Sequence, residues 1–261
     1  MHGLSVKCFG VGDGTASAER NHSSYLYDFG AATVLIDCGE SVSRSYKASG
    51  SSYEKVDRII LSHLHSDHIG GFFMLIQGFW LEGRKRELRV HMPADGIEPI
   101  RKFLRMAYLF DEILTFPIIF EPLQVGKPII ITDQVRIDCF PTTHLENFRQ
   151  RFQAKYPAEY AAFSFLIETA SGRIVHSADI GAPQDLDPLL EQPVELLVCE
   201  LAHFKREELF QYLKGRDIKK IAIVHIARWF WERMDETRAI ATKMLPGMNI
   251  VYPRDQEVLT L

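Results

Sequence analysis

The chain has 261 residues, 46% of them hydrophobic, and a formal net charge of -4. This supports a full core and excludes a disordered chain, and the acidic balance excludes the global attraction to a polyanion that nucleic-acid domains usually show, leaving only local basic patches. The start, Met1 to Lys7, lacks the pattern of a secretion signal, and no window reaches the apolar length of a membrane span, so no membrane partner is expected. Cys8, Cys38, Cys139 and Cys199 are far apart in apolar runs and read as buried thiols rather than a zinc knuckle or a disulfide framework, which points to a reducing cytoplasm.

Residues 4–10, 24–29 and 33–37 read as three short strands, with Asp28-Phe29-Gly30 turning a hairpin. The glycines of Gly10-Val11-Gly12-Asp13-Gly14 are followed by neither a Walker lysine nor the dinucleotide spacing, and read as a turn at the rim of a site. Residues 41–49 read as a short helix and 56–61 as a buried strand. Phe72, Phe73, Leu75, Ile76, Phe79 and Trp80 then give a helix packed on a sheet, ending near Gly83. Arg84-Lys85-Arg86 reads as a solvated turn, 88–92 as a strand, and 96–108 as an amphipathic helix with Arg101, Lys102 and Arg105 on its wet face.

Residues 129–132 and 135–140 read as a hairpin. The segment 145–162 is polar, aromatic and longer than a typical connection, a lid or rim over a site. Residues 163–169 and 173–176 pair around Ala170-Ser171-Gly172; 195–200, 220–224 and 249–252 are further strands; 205–213 and 232–245 are helices. No repeat or linker interrupts this order. It reads as one α/β domain over 1–261, a two-sheet αββα sandwich with helices outside.

Between the strand 56–61 and the following helix lies Ser62-His63-Leu64-His65-Ser66-Asp67-His68-Ile69-Gly70-Gly71. His63 and His65 are two apart, so on extended backbone both leave the same face and one cation can take both. Asp67 and His68 are adjacent and, on a strand-to-helix turn, aim at a second point nearby, which suggests two metals. Imidazole and carboxylate suit zinc, or manganese or iron. A histidine-rich surface loop is the bland alternative, and such a density of ligands between a buried strand and a Gly-Gly helix entry argues against it. His144, Asp179 and His225 each stand just past an apolar strand, where loops at one sheet edge collect functional groups. Taken singly, each is more readily structural.

The pattern His-x-His-x-Asp-His-x-x-Gly resembles the signature of the metallo-β-lactamase superfamily, and the flanking residues resemble its ribonuclease Z-type and related phosphodiesterase branch. The lead-in Phe9 to Gly14, Ser23-Ser24-Tyr25-Leu26, Leu35-Ile36-Asp37-Cys38-Gly39-Glu40, Gly78 to Arg84 and Leu88 to Pro93 follow that branch. The resemblance implies a four-layer αββα sandwich with two mixed sheets. It implies two divalent cations, the first held by His63, His65 and His144, the second by Asp67, His68 and His225, with Asp179 bridging and a water activated between them. Asp67 would also accept or steer that water's proton. Asp37 and Glu40 are candidate partners for the second nitrogen of a ligating histidine.

His203, after the strand 195–200, reads either as a general acid for the leaving group or as a buried structural histidine. His22 reads as rim or loop, and His2, His91 and His176 as structural. Arg228-Trp229-Phe230-Trp231 could stack a flat group with Arg228 on a phosphate, but hydrophobic packing or a homodimer contact is the favoured reading. Ribonuclease Z enzymes also carry a glycine- and lysine-rich arm and a second histidine motif paired with the acid matching Glu200. Neither is visible here, and Ile226 to Phe230 departs from the branch's usual sequence, which argues against pre-tRNA as substrate. The reading is a phosphodiester hydrolase for a small-molecule or nucleotide-like substrate. The competing readings are a lactone, ester or thioester hydrolase on the same metals, and a non-enzymatic ligand-sensing member.

Overall fold

The computed structural model describes residues 4–261, so His2 lies outside the described residues. The chain divides into two compact units, one running to Leu123 and completed by Arg254–Thr260, the other spanning Gln124–Pro253. Each is built on its own seven-stranded mixed sheet.

In the first unit, β1 (Ser5–Gly10), β2 (Ser24–Asp28) and β3 (Thr33–Ile36) are antiparallel neighbours. β4 (Arg58–Ile60), β5 (Leu88–Met92) and β6 (Ile118–Pro122) then continue in parallel from β3. Parallel neighbours need crossovers. Helix α1 (Val42–Ala48) lies between β3 and β4, α2 (Ser66–Ile69) and α3 (Phe72–Leu81) between β4 and β5, and α4 (Ile97–Met106) between β5 and β6. In α3, Phe72, Leu75, Ile76 and Phe79 recur at helical spacing and are all buried, packing with Leu35, Ile59, Leu61, Val90 and Met92. Each such side chain taken from water contributes about 1.5–3 kcal/mol.

Two strands of this sheet escape the pattern reading: β6, and the strand Val258–Thr260 that pairs antiparallel with β1. Both are edge strands, half-exposed and short, and Pro122 is tolerated in β6 because an edge strand has a side with no ladder to feed. Arg84 overturns its reading as part of a solvated turn. It is 1% exposed, and its guanidinium donates to the carbonyls of Tyr53 (2.6 Å), Val56 (2.9 Å), Arg86 (2.8 Å) and Glu87 (2.8 Å) between the rings of Phe79 and Phe116. A charge is stable there because nearly every N–H finds an oxygen, two from its own turn and two from the distant loop around residues 53–56.

In the second unit, β7 (Ile129–Thr132), β8 (Val135–Pro141), β9 (Phe163–Thr169) and β10 (Gly172–His176) form an antiparallel meander. From β10 the sheet turns parallel through β11 (Leu196–Leu201), β12 (Ile221–Ile226) and β13 (Ile250–Val251). β11 and β12 are buried along their whole length, which is why they read as unbroken apolar runs. Their cover includes α6 (Arg206–Leu213), the last turn of α8 (Met234–Met244) and a 3₁₀ helix Pro183–Leu189 whose Leu186 and Leu189 are fully buried. The long segment 145–162 holds helix α5 (Glu146–Phe152), none of whose residues is buried. The short α7 (Arg228–Trp231) precedes α8.

All four cysteines are free and buried, as their apolar surroundings imply. Burial pushes their thiols up, that of Cys139 to about 11, so they are poor nucleophiles. Among the described residues, no helix is long and apolar enough to cross a membrane.

Candidate functional site

In the first unit the functional groups gather after the C-terminal ends of β3 and β4, two parallel neighbours, the edge where open α/β sheets place their sites. Asp37 follows β3 with φ +60°, a left-handed conformation uncommon outside glycine. Its fully buried carboxylate accepts from the backbone N–H of Ser62 (2.8 Å), the Ser62 hydroxyl (2.9 Å) and His68 Nδ1 (2.8 Å). Because the hydroxyl gives its one proton to Asp37, it must accept from His63 Nδ1 at 3.0 Å. One carboxylate thus fixes two imidazoles through Nδ1, directly and through a serine, leaving both Nε2 atoms as the donor ends.

The rings of His65 and His68 lie 4.8 and 4.1 Å from that of His63, and Asp67 Oδ2 is 3.5 Å from His68 Nε2. Two glycines permit this. A side chain on Gly39 would meet the carbonyl oxygen of Asp67 at 2.3 Å, and one on Gly71 would meet that of Gly39 at 2.4 Å. Cys38 N–H to His68 O (2.6 Å) and Gly71 N–H to Cys38 O (2.8 Å) then lace the two loops together. Gly14 lies against Asp67, with only 3.2 Å between its Cβ position and Oδ2, so the glycine turn is a rim feature, as read. Glu40 does not join this network; it is exposed, 3.9 Å from His22 Nδ1, and of the two candidate partners only Asp37 serves.

In the second unit β8, β10, β11 and β12 run in the same direction, and each delivers a functional group at its C-terminal end. Asp179, 2% exposed, is the centre: its Oδ2 lies 3.6 Å from His144 Nε2, 3.8 Å from His203 Nε2 and 3.4 Å from His225 Nε2. Ala178, just before it, has φ +46°. His225 corrects the reading that placed it past its strand. Glu200 pairs with Val224 and Leu201 with Ile226, so His225 is the inserted residue of a bulge inside β12, with φ +43°.

Glu200, fully buried at the end of β11, accepts from the backbone N–H groups of Ile180 (2.7 Å), Ala202 (2.9 Å) and His203 (3.2 Å), and from His203 Nδ1 (2.8 Å). His203 is therefore not a buried structural histidine: its side chain is 33% exposed, held by a carboxylate, stacked on His225 and edge-on to His144. The acid partner that seemed to want a separate downstream histidine motif has one three residues on. The only sequence signal for it is the strand end followed by an i, i+3 acid and imidazole.

Of the aromatic run, Phe230 and Trp231 pack against the core of this unit, as the favoured reading has it, while Trp229 is 58% exposed and Arg228 pairs with Glu232 at 2.8 Å. His91 and His176 are buried and stand apart from both sets, as read. Asp185 escaped the sequence reading altogether; it links the loops that carry His144 and Asp179.

Imidazole nitrogens beside carboxylates, with His63, His68 and His203 each held at Nδ1, form a set that suits a divalent metal in donor type and in supporting hydrogen bonds. Ribonuclease Z of Methanocaldococcus jannaschii is 33% identical over 137 residues, a match covering 52% of this chain and 42% of that protein, so the chain spans about half the length of the curated relatives it matches. The crystal structure of the metallo-β-lactamase fold protein YhfI from Bacillus subtilis superposes with a TM-score of 0.78 at 20% identity, covering 98% of this chain and 99% of that one. Human tRNase Z, short form, gives 0.74 at 16% identity over 98% of each. The class these define is that of metallo-β-lactamase-fold proteins, with a sequence similar to ribonuclease Z over about half of the chain. Within that class the chain belongs to the family described as Anti-Pycsar protein Apyc1, whose model matches residues 4–228.

Proposed function

We propose that this protein hydrolyses a phosphodiester using two divalent cations, zinc or alternatively manganese or iron. His63, His65 and His144 would hold the first, Asp67, His68 and His225 the second, with Asp179 shared. On this proposal residues 1–261 act as a single metallo-β-lactamase domain. The observation that carries this reading is the pair of dyads, Asp37 on His68 and Glu200 on His203, each fixing Nδ1 and presenting Nε2. When bound, the cations supply Lewis acidity toward phosphoryl oxygens and acidify the attacking water.

The protein's own groups supply the rest. Asp67, beside the glycine turn, orients the attacking water and takes its proton. His203, gripped by Glu200 at Nδ1 and open to solvent at Nε2, gives a proton to the departing oxygen. Glu200, hydrogen-bonded to Nδ1, holds the ring in place for that transfer.

Similarity to ribonuclease Z supports a phosphodiester over a carboxylic ester. The net charge of -4, and the single short helix between β8 and β9 where ribonuclease Z enzymes carry a lysine-rich arm, support a small or cyclic nucleotide over pre-tRNA. Four free, buried thiols support a cytoplasmic setting.

The test is metal content of the purified chain together with turnover of bis-p-nitrophenyl phosphate and of a lactone, with added zinc or manganese. About two metals per chain with diester turnover is the expected result. Lactone turnover alone would move the assignment to ester chemistry, and a chain that takes up no metal would leave a ligand-sensing role.

A further inference from the structure

We infer that Asp185 is a positioning residue for metal binding: its carboxylate clamps the loop carrying His144 to the loop carrying Asp179. The inference rests on the proposed ligand roles of those two residues. Oδ2 accepts from the backbone N–H of Thr143 (2.9 Å) and of Gly181 (2.9 Å), and the Thr143 hydroxyl lies 3.1 and 3.0 Å from the two carboxylate oxygens. Thr143 immediately precedes His144, and Gly181 is two residues past Asp179. A single side chain therefore ties both loops within two residues of the groups they present.

Two further features show that the contact is built rather than incidental. The loops approach so closely that a side chain on Gly181 would meet Thr143 Oγ1 at 2.3 Å, and the Thr142 hydroxyl donates to the carbonyl of Asp179 at 2.9 Å. Asp185 itself sits on the 3₁₀ helix Pro183–Leu189, whose Leu186 and Leu189 are fully buried, so the clamp is anchored in the core of its unit. Asp185 touches neither His144 nor Asp179 through its side chain; its effect is on where the loops hold them.

The experiment uses the full chain, stripped of metal and titrated with zinc against a chromophoric chelator and with cobalt(II) by its visible absorption. Asp185→Ala should weaken zinc binding by about 10–100-fold, the cost typical of losing a group that supports metal ligands, and should alter the cobalt spectrum. Asp185→Asn should stay within about threefold of the parent, because the amide keeps an oxygen for the two N–H groups and offers an N–H to the Thr143 hydroxyl. An Asn variant as weak as the Ala variant would overturn positioning in favour of a charge effect. Zinc binding by Asp185→Ala equal to the parent, with His144→Ala impaired, would also overturn it. If both bind zinc as the parent does, the ligand reading itself fails. Should Asp185→Ala not fold, Thr143→Val carries the test: weaker binding by about threefold or more is expected from losing the hydroxyl link, and unchanged binding overturns the inference.

Discussion

The two imidazole–carboxylate dyads share a chemistry and differ in surroundings. Asp37 and His68 are 0% and 1% exposed, and the carboxylate also holds Ser62 and, through it, His63. Glu200 is as buried, but its partner His203 is 33% exposed. A carboxylate that fixes imidazoles in the interior can only orient them. One that fixes an imidazole at the surface also lets it exchange protons with substrate and solvent. Under the proposed function the same motif would support ligand geometry in one unit and proton transfer in the other.

The strongest challenge to that contrast is Asp179→Ala, which removes the group on which three imidazoles of the second unit converge. Metal content should fall and diester turnover should drop by well over the roughly hundredfold that loss of a mere supporting group costs; full activity and metal content would refute the proposed ligand set. His203→Ala comes next. It should lower kcat by about 10²–10⁴-fold while metal content is unchanged, with the larger losses on diesters whose leaving groups need protonation and the smaller on p-nitrophenyl esters. An equal loss on both would deny His203 the role of acid.

Asp37→Ala should behave in the opposite way. Zinc affinity should fall by about 10–100-fold, and chemical denaturation should show a loss of about 3–5 kcal/mol, since a buried hydrogen-bond hub is left without its acceptor. A variant of normal stability with normal metal affinity would erase the difference between the dyads.

The smallest effect belongs to a third pair, His91 with Glu121, 3.4 Å apart and outside both sets. Burial, reinforced by Arg58 and Arg89 and opposed by Glu121, lowers the His91 pKa to about 4. The folded state thus binds fewer protons than the unfolded chain below the ordinary histidine value near 6.5. The His91 contribution is fully present above that pH and is lost as pH falls toward 4, a change of about 2–3 kcal/mol. Urea denaturation at pH 7 and pH 4.5 should show a smaller drop for His91→Asn than for the parent; equal drops would place the titration elsewhere.

Much of this was legible before any coordinates. The ladder of apolar strands and the helix of Phe72, Leu75, Ile76 and Phe79 follow from periodicity, and His63, His65, Asp67 and His68 are concentrated on one strand-to-helix turn. Less legible were residues whose role depends on what comes to meet them. Arg84 looked solvated because two of the four carbonyls that receive it, those of Tyr53 and Val56, lie on another loop. Glu40 looked as eligible as Asp37 because both lie on the loop after β3, and only the path of that loop decides which one faces His68. Edge strands such as β6 carry no clear alternation, and the bulge at His225 is invisible without its partner strand.

By itself the sequence determined most of the elements, the buried thiols and a histidine motif of metal-ligating type, because hydrophobic period and ligand type are properties of neighbouring residues. Only the tertiary structure decided that Glu200 grips His203, that Asp37 reaches His63 through Ser62, and that Asp185 binds the loops of His144 and Asp179. Hydrogen bonds act over about 3 Å in space, whatever the separation along the chain, so their partners are fixed by how strands and loops are brought side by side.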